Sequence, residues 1–192
     1  MSLRSLVLTS MAALALNATA NASTFGLENS VGATPTFSIT SGGLTATYTS
    51  PAGNGFAVQD TTGLLTFNTA LLDNNFFGTD SLTISFSTPI SGTLLIPFAV
   101  LDSYSTTDSL TVTANTGQTT GFVASPDGLV LGEPEGMASL SLTTPITSLT
   151  LSGTNAFAIG DVSTVTATPE PTSIVLLATG MVGSVLGRRR AR

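Results

Sequence analysis

A strict alternation of apolar and hydroxyl residues is the feature that most constrains how this chain can fold. Between Ser81 and Ser87, apolar side chains alternate with Ser and Thr, and the same period of two returns at 110–114, 138–142 and 149–151. Side chains of a β-strand point to opposite faces in turn, so each segment presents one apolar face and one hydroxyl face. Between residues 23 and 168 no stretch has the 3.6-residue period of a convincing amphipathic helix.

The spacing of these runs predicts an all-β domain. Turn sequences such as Ser41-Gly42-Gly43 and Asn115-Thr116-Gly117 separate the runs at short intervals. About nine or ten short strands joined in this way indicate an antiparallel two-sheet β-sandwich of jelly-roll type. Leu94–Leu101 is apolar almost throughout and predicts a central strand. Within it, Pro97 must lie at a bulge or face a sheet edge because proline has no N–H to donate.

One six-residue phrase occurs twice in the chain. Residues 86–91 read FSTPIS and residues 142–147 read LTTPIT. Proline presets the backbone at a bend, and the isoleucine that follows it can pack onto the core. We interpret the phrase as a recurring connection between one alternating strand and the next.

The residue types that the chain lacks exclude much enzyme chemistry. The sequence contains no Cys, His, Trp or Lys. Without His, Cys or Lys, the domain has none of the usual general bases near neutral pH and few activated nucleophiles. A pair of carboxylates, as in glycosidases, is the remaining catalytic option, but no two acids lie in a recognisable motif. We therefore expect that the protein is not an enzyme.

The charge of the central region restricts its partners. Between residues 23 and 168 there are ten carboxylates and no cation, which excludes nucleic acid as a partner because no basic face can be built. Calcium is the one candidate cofactor, since hard cations prefer oxygen ligands. The stretch 73–80 is rich in oxygen ligands, and the candidate ligands elsewhere are Asp102, Asp108, Asp127, Glu133 and Glu135. None follows the EF-hand pattern, and solvated acidic loops are the alternative interpretation.

The first 22 residues have the parts of a secretory signal peptide in the right order. Arg4 provides the positive n-region, Leu6–Leu16 the apolar h-region, and Ala20-Asn21-Ala22 the small-residue cleavage site. Ala18-Thr19-Ala20 would place the cut two residues earlier. A buried first helix of a cytosolic domain is the alternative, but the order of the three parts favours export. We predict a signal peptide over residues 1–22.

The C-terminal end predicts a short transmembrane helix over residues 173–187. This segment is uncharged and is followed by Arg188, Arg189, Arg190 and Arg192. A helix of this length rises about 22 Å against a hydrocarbon core of about 30 Å, so bilayer thinning or snorkelling arginines must cover the difference. Positive charge concentrates on the cytoplasmic side, so the arginines should act as a stop-transfer signal with the preceding domain outside.

Pro169, Glu170 and Pro171 stand directly before this apolar segment. Taken together, residues 168–192 resemble the PEP-CTERM sorting signal of exported bacterial proteins. The resemblance implies recognition by an exosortase, a membrane transpeptidase that cuts near the Pro-Glu-Pro. It further implies a transient stage in the inner membrane, delivery to the cell surface, and a setting of exopolysaccharide and biofilm. A permanent single-span anchor that nothing cleaves is the alternative.

Residues 23–167 form the predicted ectodomain between these two signals. Its closing phrase, Ala156–Val162, resembles the end of lectin-like sandwich ectodomains carried by PEP-CTERM proteins, which often have two adjacent acids. Here Gly160 stands in place of the first acid, before Asp161. We expect a non-catalytic surface or matrix protein, structural or adhesive, in an exopolysaccharide context. A carbohydrate-binding module, assisted by calcium, is the alternative, and a carboxylate-pair glycoside hydrolase is the third.

Overall fold

The computed structural model describes residues 22–32, 36–50, 56–72, 81–101, 109–125 and 134–165. These residues form antiparallel β-structure with one 3-10 turn at Glu28–Ser30, so the all-β prediction is confirmed. Within these ranges, no helix is long and apolar enough to cross a membrane. The predicted signal peptide up to Asn21 and the predicted helix over 173–187 lie outside the described residues. The strands, in chain order, are β1 Ser23–Phe25, β2 Phe37–Ser41, β3 Leu44–Thr49, β4 Ala57–Asp60, β5 Thr69–Leu72, β6 Ser81–Val100, β7 Ser109–Ala114, β8 Thr119–Val123, β9 Glu135–Gly153, β10 Phe157–Ile159 and β11 Val162–Val165.

Two long strands, β6 and β9, organise the sheet by pairing along nearly their whole length. Around one half of this pair, the strand order is β2-β3-β6-β9-β7-β8, which we call the first half-sheet. Around the other half lie β10 and β11, then β5, β4 and β1, which complete the second half-sheet. In place of two separately bonded sheets, all eleven strands belong to one curled sheet because β6 and β9 run through both halves.

Both long strands bend at the phrase that occurs twice in the sequence. The register between β6 and β9 shifts between Ser85 and Ile90 and again between Ile90 and Gly92. Ile90 and Ile146, which follow the two prolines, are paired with each other and buried. Irregularities of this kind bend a strand and increase its local twist. The phrase is therefore a bend inside a continuous strand, and the prediction that it joins two separate strands was wrong.

The inward side chains of both half-sheets form one apolar core. On β6, for example, Leu82 and Ile84 are buried whereas Ser85 is exposed. Burying one such apolar side chain contributes about 1.5–3 kcal/mol. A second, smaller cluster lies on the other side of the sheet, where Leu65 and Phe67 of the loop 61–68 pack with Ala99.

Pro97 lies opposite a β-bulge, as its missing N–H requires. Phe98 of β6 pairs with Ile159 of β10, and Leu95 of β6 pairs with Ser163 of β11. Between these two pairs, β6 advances by three residues whereas the neighbouring segment advances by four. The extra residue interrupts the ladder beside the proline, which confirms the prediction made for Pro97.

Gly160 lies inside this bulge, in a position where a side chain would be crowded. A Cβ on Gly160 would lie 3.1 Å from the ring of Phe67 and 3.2 Å from Cγ of Pro97. A side chain at position 160 would therefore require Phe67 or Pro97 to shift by a few tenths of an ångström.

The chain enters and leaves the fold side by side. β1 pairs antiparallel with β11, with Ser23 opposite Thr164 and Phe25 opposite Val162. Residues that pair directly across antiparallel strands lie about 4.5–5.5 Å apart. Both the signal cleavage site predicted before Ser23 and the sorting motif predicted after β11 therefore attach to the same end of the β1–β11 pair.

Candidate functional site

The outward side of the first half-sheet is covered by hydroxyl side chains, which we call the hydroxyl face. Each of its members alternates along its strand with a residue of the core, so its side chain points away from the core. Across five strands the pairing aligns one row of threonines, Thr49, Thr83, Thr150, Thr113 and Thr119. The members of the face are Ser38, Thr40, Thr45, Thr47, Thr49, Ser81, Thr83, Ser85, Ser87, Ser109, Thr111, Thr113, Thr119, Ser148, Thr150 and Ser152.

The rows of the hydroxyl face have the regular spacing of a sheet. Hydroxyls on neighbouring strands are separated by roughly 4.8 Å, and successive rows by roughly 6.7 Å. Some bond to each other, as between Ser38 and Thr47 at 2.8 Å and from Thr119 to Thr113 at 3.3 Å. A hydroxyl has one donor and two acceptor sites, so these bonds leave capacity for an outside partner.

The hydroxyl face offers hydrogen bonds but no charge. Its outward strand positions are all Ser or Thr except Gly121 and Val123 of the edge strand β8. Glu28, Asp60, Glu135 and Asp161 are the carboxylates of the described residues, and all lie outside this half-sheet. With neither charges nor rings, the face can form neither ion pairs nor stacking contacts.

A cavity of about 250 Å³, which we call the Ser23 cavity, lies where β1 and β11 meet the bend of β6. The turn between β2 and β3 forms one wall, where Gly42 and Gly43 have φ values of +58° and +81°. A Cβ on Gly42 would lie 3.0 Å from the hydroxyl oxygen of Ser23, so glycine leaves room for that side chain. The lining residues, none of them titratable, are Ser23, Gly42, Gly43, Leu44, Thr88, Pro89, Ile90, Ser91 and Thr164.

Glu135 is a predicted calcium ligand that the structure places inside the fold. Its side chain is 7% exposed, and its two carboxylate oxygens each accept a hydrogen bond of 3.1 Å from the N–H of Thr66. The hydroxyl of Thr66 donates to the same carboxylate. Since Thr66 belongs to the loop 61–68, Glu135 fastens this loop to the sheet.

The described residues bring no metal site together. No group of three or more His, Cys, Asp or Glu side chains could hold an ion in the part of the chain that the structure describes. The other calcium candidates, Asp102, Asp108, Asp127, Glu133 and the stretch 73–80, lie outside the described residues.

The sorting and stop-transfer residues also lie outside the described residues. They are Pro169, Glu170, Pro171, Arg188, Arg189, Arg190 and Arg192. Ala20 of the predicted signal cleavage site also lies outside the described residues. Ala22 is described and exposed directly before β1.

Asp161 ties the bulge after β10 to the segment that follows β1. Its Oδ1 accepts a hydrogen bond of 2.9 Å from the N–H of Leu27. Burial raises the pKa of Asp161; the bond from Leu27 acts in the opposite direction, and the charge of Glu28 raises the pKa further. Burial, together with the charge of Asp161, also raises the pKa of Tyr48, whose buried hydroxyl has no hydrogen-bond partner among the described residues.

We expect Asp161→Asn to stabilise the domain at pH 7 and to leave its stability unchanged near pH 3.5. A carboxyl whose pKa is raised by folding favours the native state only while protonated. Its contribution is therefore complete below its unfolded pKa of about 3.9 and is lost as pH rises through the higher native pKa. Asn keeps the oxygen that accepts from Leu27 and has no charge to bury. Thermal unfolding of parent and variant between pH 3.5 and 7.5 measures this difference.

Asp60→Asn is the matched control, because hydrogen bonds from Thr62 lower the pKa of the exposed Asp60. Its contribution has the opposite sign and is lost as pH falls. An Asp161→Asn curve that runs parallel to the parent curve over the whole pH range would contradict the prediction.

The features of this site that the sequence analysis missed depend on pairing between distant segments. Alternation within a strand indicated one hydroxyl face per strand, but the rows require the register between strands. The bonds of Glu135 to Thr66 and of Asp161 to Leu27 join residues 69 and 134 positions apart. No local pattern in the sequence identifies these partners.

Comparison with known proteins identifies the C-terminal segment. Residues 167–190 match the family model of the PEP-CTERM protein-sorting motif. The chain carries this sorting motif, and the motif indicates an exported protein that an exosortase processes. Among curated proteins, none matches the chain significantly.

The solved structures that match this chain have low sequence identity to it and low TM-scores. The K1 cleaved adhesin domain of Lys-gingipain from Porphyromonas gingivalis W83 has a TM-score of 0.46 and 12% identity, over 77% of this chain and 98% of that chain. A carbohydrate-binding module of family 29 has a TM-score of 0.33 and 7% identity, over 79% of this chain and 96% of that chain. At these values neither likeness says anything about what this chain binds.

Proposed function

We propose that the ectodomain is a non-catalytic, adhesive component of the cell surface or extracellular matrix that contacts neutral exopolysaccharide through the hydroxyl face. The observation that carries this proposal is the face itself, with aligned rows of Ser and Thr and no charge across six strands. A neutral polysaccharide presents the same chemistry, because each of its hydroxyls both donates and accepts hydrogen bonds.

The chemistry of the face predicts weak contacts that act in number. Each hydrogen bond formed in exchange for one to water contributes about 0.5–1.5 kcal/mol. Aligned rows allow a single polymer to form several such bonds, and many copies of the domain on one surface convert weak binding into firm retention. This mode of binding suits an adhesive protein better than a receptor for one small ligand.

The path of the chain supports delivery by export and sorting. Because β1 and β11 are paired, both ends leave the domain at the same place. A signal peptide before β1 and an apolar segment after β11 can therefore hold the domain at one membrane without crossing its fold. Cleavage by an exosortase would then release the domain from the inner membrane to the surface or the matrix.

The proposal is tested by removing three hydroxyls from the central row, with Thr83→Val, Thr113→Val and Thr150→Val in one chain. Valine keeps the branched shape that suits a strand and removes only the hydrogen-bonding group. Three lost bonds should weaken the binding of the processed protein to the producer's own exopolysaccharide at least about tenfold, since 1.4 kcal/mol corresponds to a factor of ten. Co-sedimentation of protein with polymer measures this loss.

The matched control replaces three threonines outside the hydroxyl face, with Thr24→Val, Thr93→Val and Thr144→Val. A second triple variant, Thr83→Asp with Thr113→Asp and Thr150→Asp, keeps the face polar and guards against aggregation of the valine form. Both face variants should bind weakly and the control normally. Equal retention of the face variants and the control would refute the proposal.

A further inference from the structure

Only a short stretch of chain separates the folded domain from the sorting motif. Val165, the last residue of β11, is paired with Thr93 of β6, and Pro169 begins the motif four residues later. An extended chain advances by at most about 3.3–3.6 Å per residue, so the motif begins no more than roughly 14 Å from Val165 along the chain. An exosortase that cuts near the motif must therefore come close to β11.

The end of β11 belongs to the sheet and is not a projecting tip. β11 is bonded to β1 on one side and to β6 on the other, and residues that pair across antiparallel strands lie about 4.5–5.5 Å apart. A single α-helix with its side chains has a diameter of about 10–12 Å. One helix of an enzyme wall would fill most of the space between the motif and the sheet. The enzyme therefore contacts the domain when it holds the motif.

The surface around this exit of the chain is formed by three segments, and we call it the exit surface. Thr164, the neighbour of Val165, lines the Ser23 cavity together with the turn between β2 and β3 and the bend of β6. The exposed residues of these segments are uncharged. They are Gly42, Gly43, Thr88, Pro89, Ser91 and Val165.

The composition of the exit surface suits contact with another protein. Ten carboxylates lie between residues 23 and 168, yet none of the described residues around the exit is among them. The centres of protein interfaces are depleted in charged residues, because a charge that loses its water without gaining a partner costs free energy. Pro89 is exposed and Val165 is 44% exposed, so both offer apolar area. The glycine turn allows another backbone to approach closely.

We propose that the exosortase docks on the exit surface while it holds the sorting motif. The partner follows from the motif at 167–190, since the chain itself brings the enzyme that recognises this motif to this end of the domain. The inference rests on the exosortase step of the proposed function and is independent of the hydroxyl face. Docking makes the paired strands β1, β6 and β11 part of what the enzyme recognises, in addition to the motif.

The experiment follows the full-length protein in its native host and measures the rate at which the precursor is converted to the processed form. Thr88→Asp with Ser91→Asp, the exit-surface variant, places two carboxylates where the enzyme would dock. Both positions are exposed, so the carboxylates stay hydrated in the free domain. On docking they lose water without gaining a partner. We therefore expect conversion at least about tenfold slower than for the parent, a factor that corresponds to 1.4 kcal/mol.

A spacer separates the effect of contact from an effect on the fold. Six glycine and serine residues inserted between Thr166 and Ala167 add roughly 20 Å of reach and leave the matched motif intact. The enzyme can then hold the motif without touching the domain. With this spacer, the exit-surface variant should be converted as fast as the parent with the spacer. The matched control for charge is Thr83→Asp with Thr113→Asp and Thr150→Asp on the hydroxyl face, which should be converted at the parent rate.

A second variant covers the case in which two carboxylates unfold the domain. Thr88→Tyr with Ser91→Tyr adds two rings at the same exposed positions, and tyrosine suits a strand. The rings obstruct docking by their size, so this variant should also be converted slowly, and the spacer should restore its rate. Thermal unfolding of each purified variant beside the parent shows whether its domain is folded.

Conversion of the exit-surface variant at the rate of the charge control would overturn the inference, and so would slow conversion that the spacer does not restore. Faster conversion of the parent with the spacer, without an effect of the exit-surface variant, would also overturn it. In that case detachment of β11 gives access to the motif. Replacing Pro169, Glu170 and Pro171 with alanine should stop conversion in every chain, and continued conversion would refute the exosortase step itself. Weak polymer binding by the hydroxyl-face variants leaves these rates unchanged, so the two failures are separable.

Discussion

Gly153→Ala is expected to destabilise the domain by about 3 kcal/mol or more. Gly153 ends β9 and pairs with Leu110 of β7. A Cβ at this position would overlap the backbone oxygen of Asn155 and would lie 2.9 Å from Cδ1 of the buried Phe157. A backbone oxygen cannot rotate away as a flexible side chain can, so the turn into β10 must move. For a domain of this size the loss corresponds to a melting temperature lower by roughly 6–12 °C.

Gly121→Ala is the matched control for this prediction. Gly121 lies on the edge strand β8, and a Cβ there would meet nothing within 4 Å. We expect a change within about 0.5 kcal/mol, as for most surface substitutions. Urea unfolding of the two variants beside the parent gives both values. Similar losses for the two glycines would show that a lost strand glycine, and not the contact with Asn155, causes the effect.

Ile146→Ala is expected to destabilise the domain by about 2–5 kcal/mol, the usual range for an isoleucine truncated in a core. Ile146 has no exposed surface and pairs with Ile90 where the two long strands bend together. If this pair holds the bend, truncating either isoleucine releases both strands. The effects of Ile90→Ala and Ile146→Ala should then be non-additive, as is usual for residues in contact. Denaturant unfolding of both single variants and the double variant measures the coupling.

Pro145→Ala tests whether the bend depends on the proline or on the buried pair of Ile90 and Ile146. The proline is exposed, so its replacement should cost only about 0.4–1 kcal/mol through the greater freedom of the unfolded chain. A large loss for Pro145→Ala beside a small one for Ile146→Ala would assign the bend to the proline.

The sequence allowed prediction of features that depend on neighbours in the chain. Alternation over 81–87 correctly placed one side of β6 in the core, and the missing N–H of Pro97 correctly required a bulge. The motif at 169–171 was recognisable because its three parts are contiguous. By contrast, the local sequence at 86–91 and 142–147 is compatible both with a turn between two strands and with a bend inside one strand. The pairing of Ile90 with Ile146 decides between them, and that pairing is a property of the whole sheet.

The candidate sites depended still more on long-range pairing. The acidic residues near position 135 suggested an ion site. No neighbouring residue in the sequence indicates that both carboxylate oxygens of Glu135 accept hydrogen bonds from Thr66. The position of Ser23 beside Thr164 likewise follows only from the pairing of the first strand with the last.

The pairing of β1 with β11 also determines how the domain responds to mechanical force. If the predicted signal peptide and apolar segment held both ends at one membrane, a pull on the domain would separate the two strands from their open end, and their hydrogen bonds would break one after another. After removal of the signal peptide, the same pull would act on β11 alone, which is bonded to β1 on one side and to β6 on the other. Processing at the N-terminus would thus strengthen the attachment of an adhesive domain under flow.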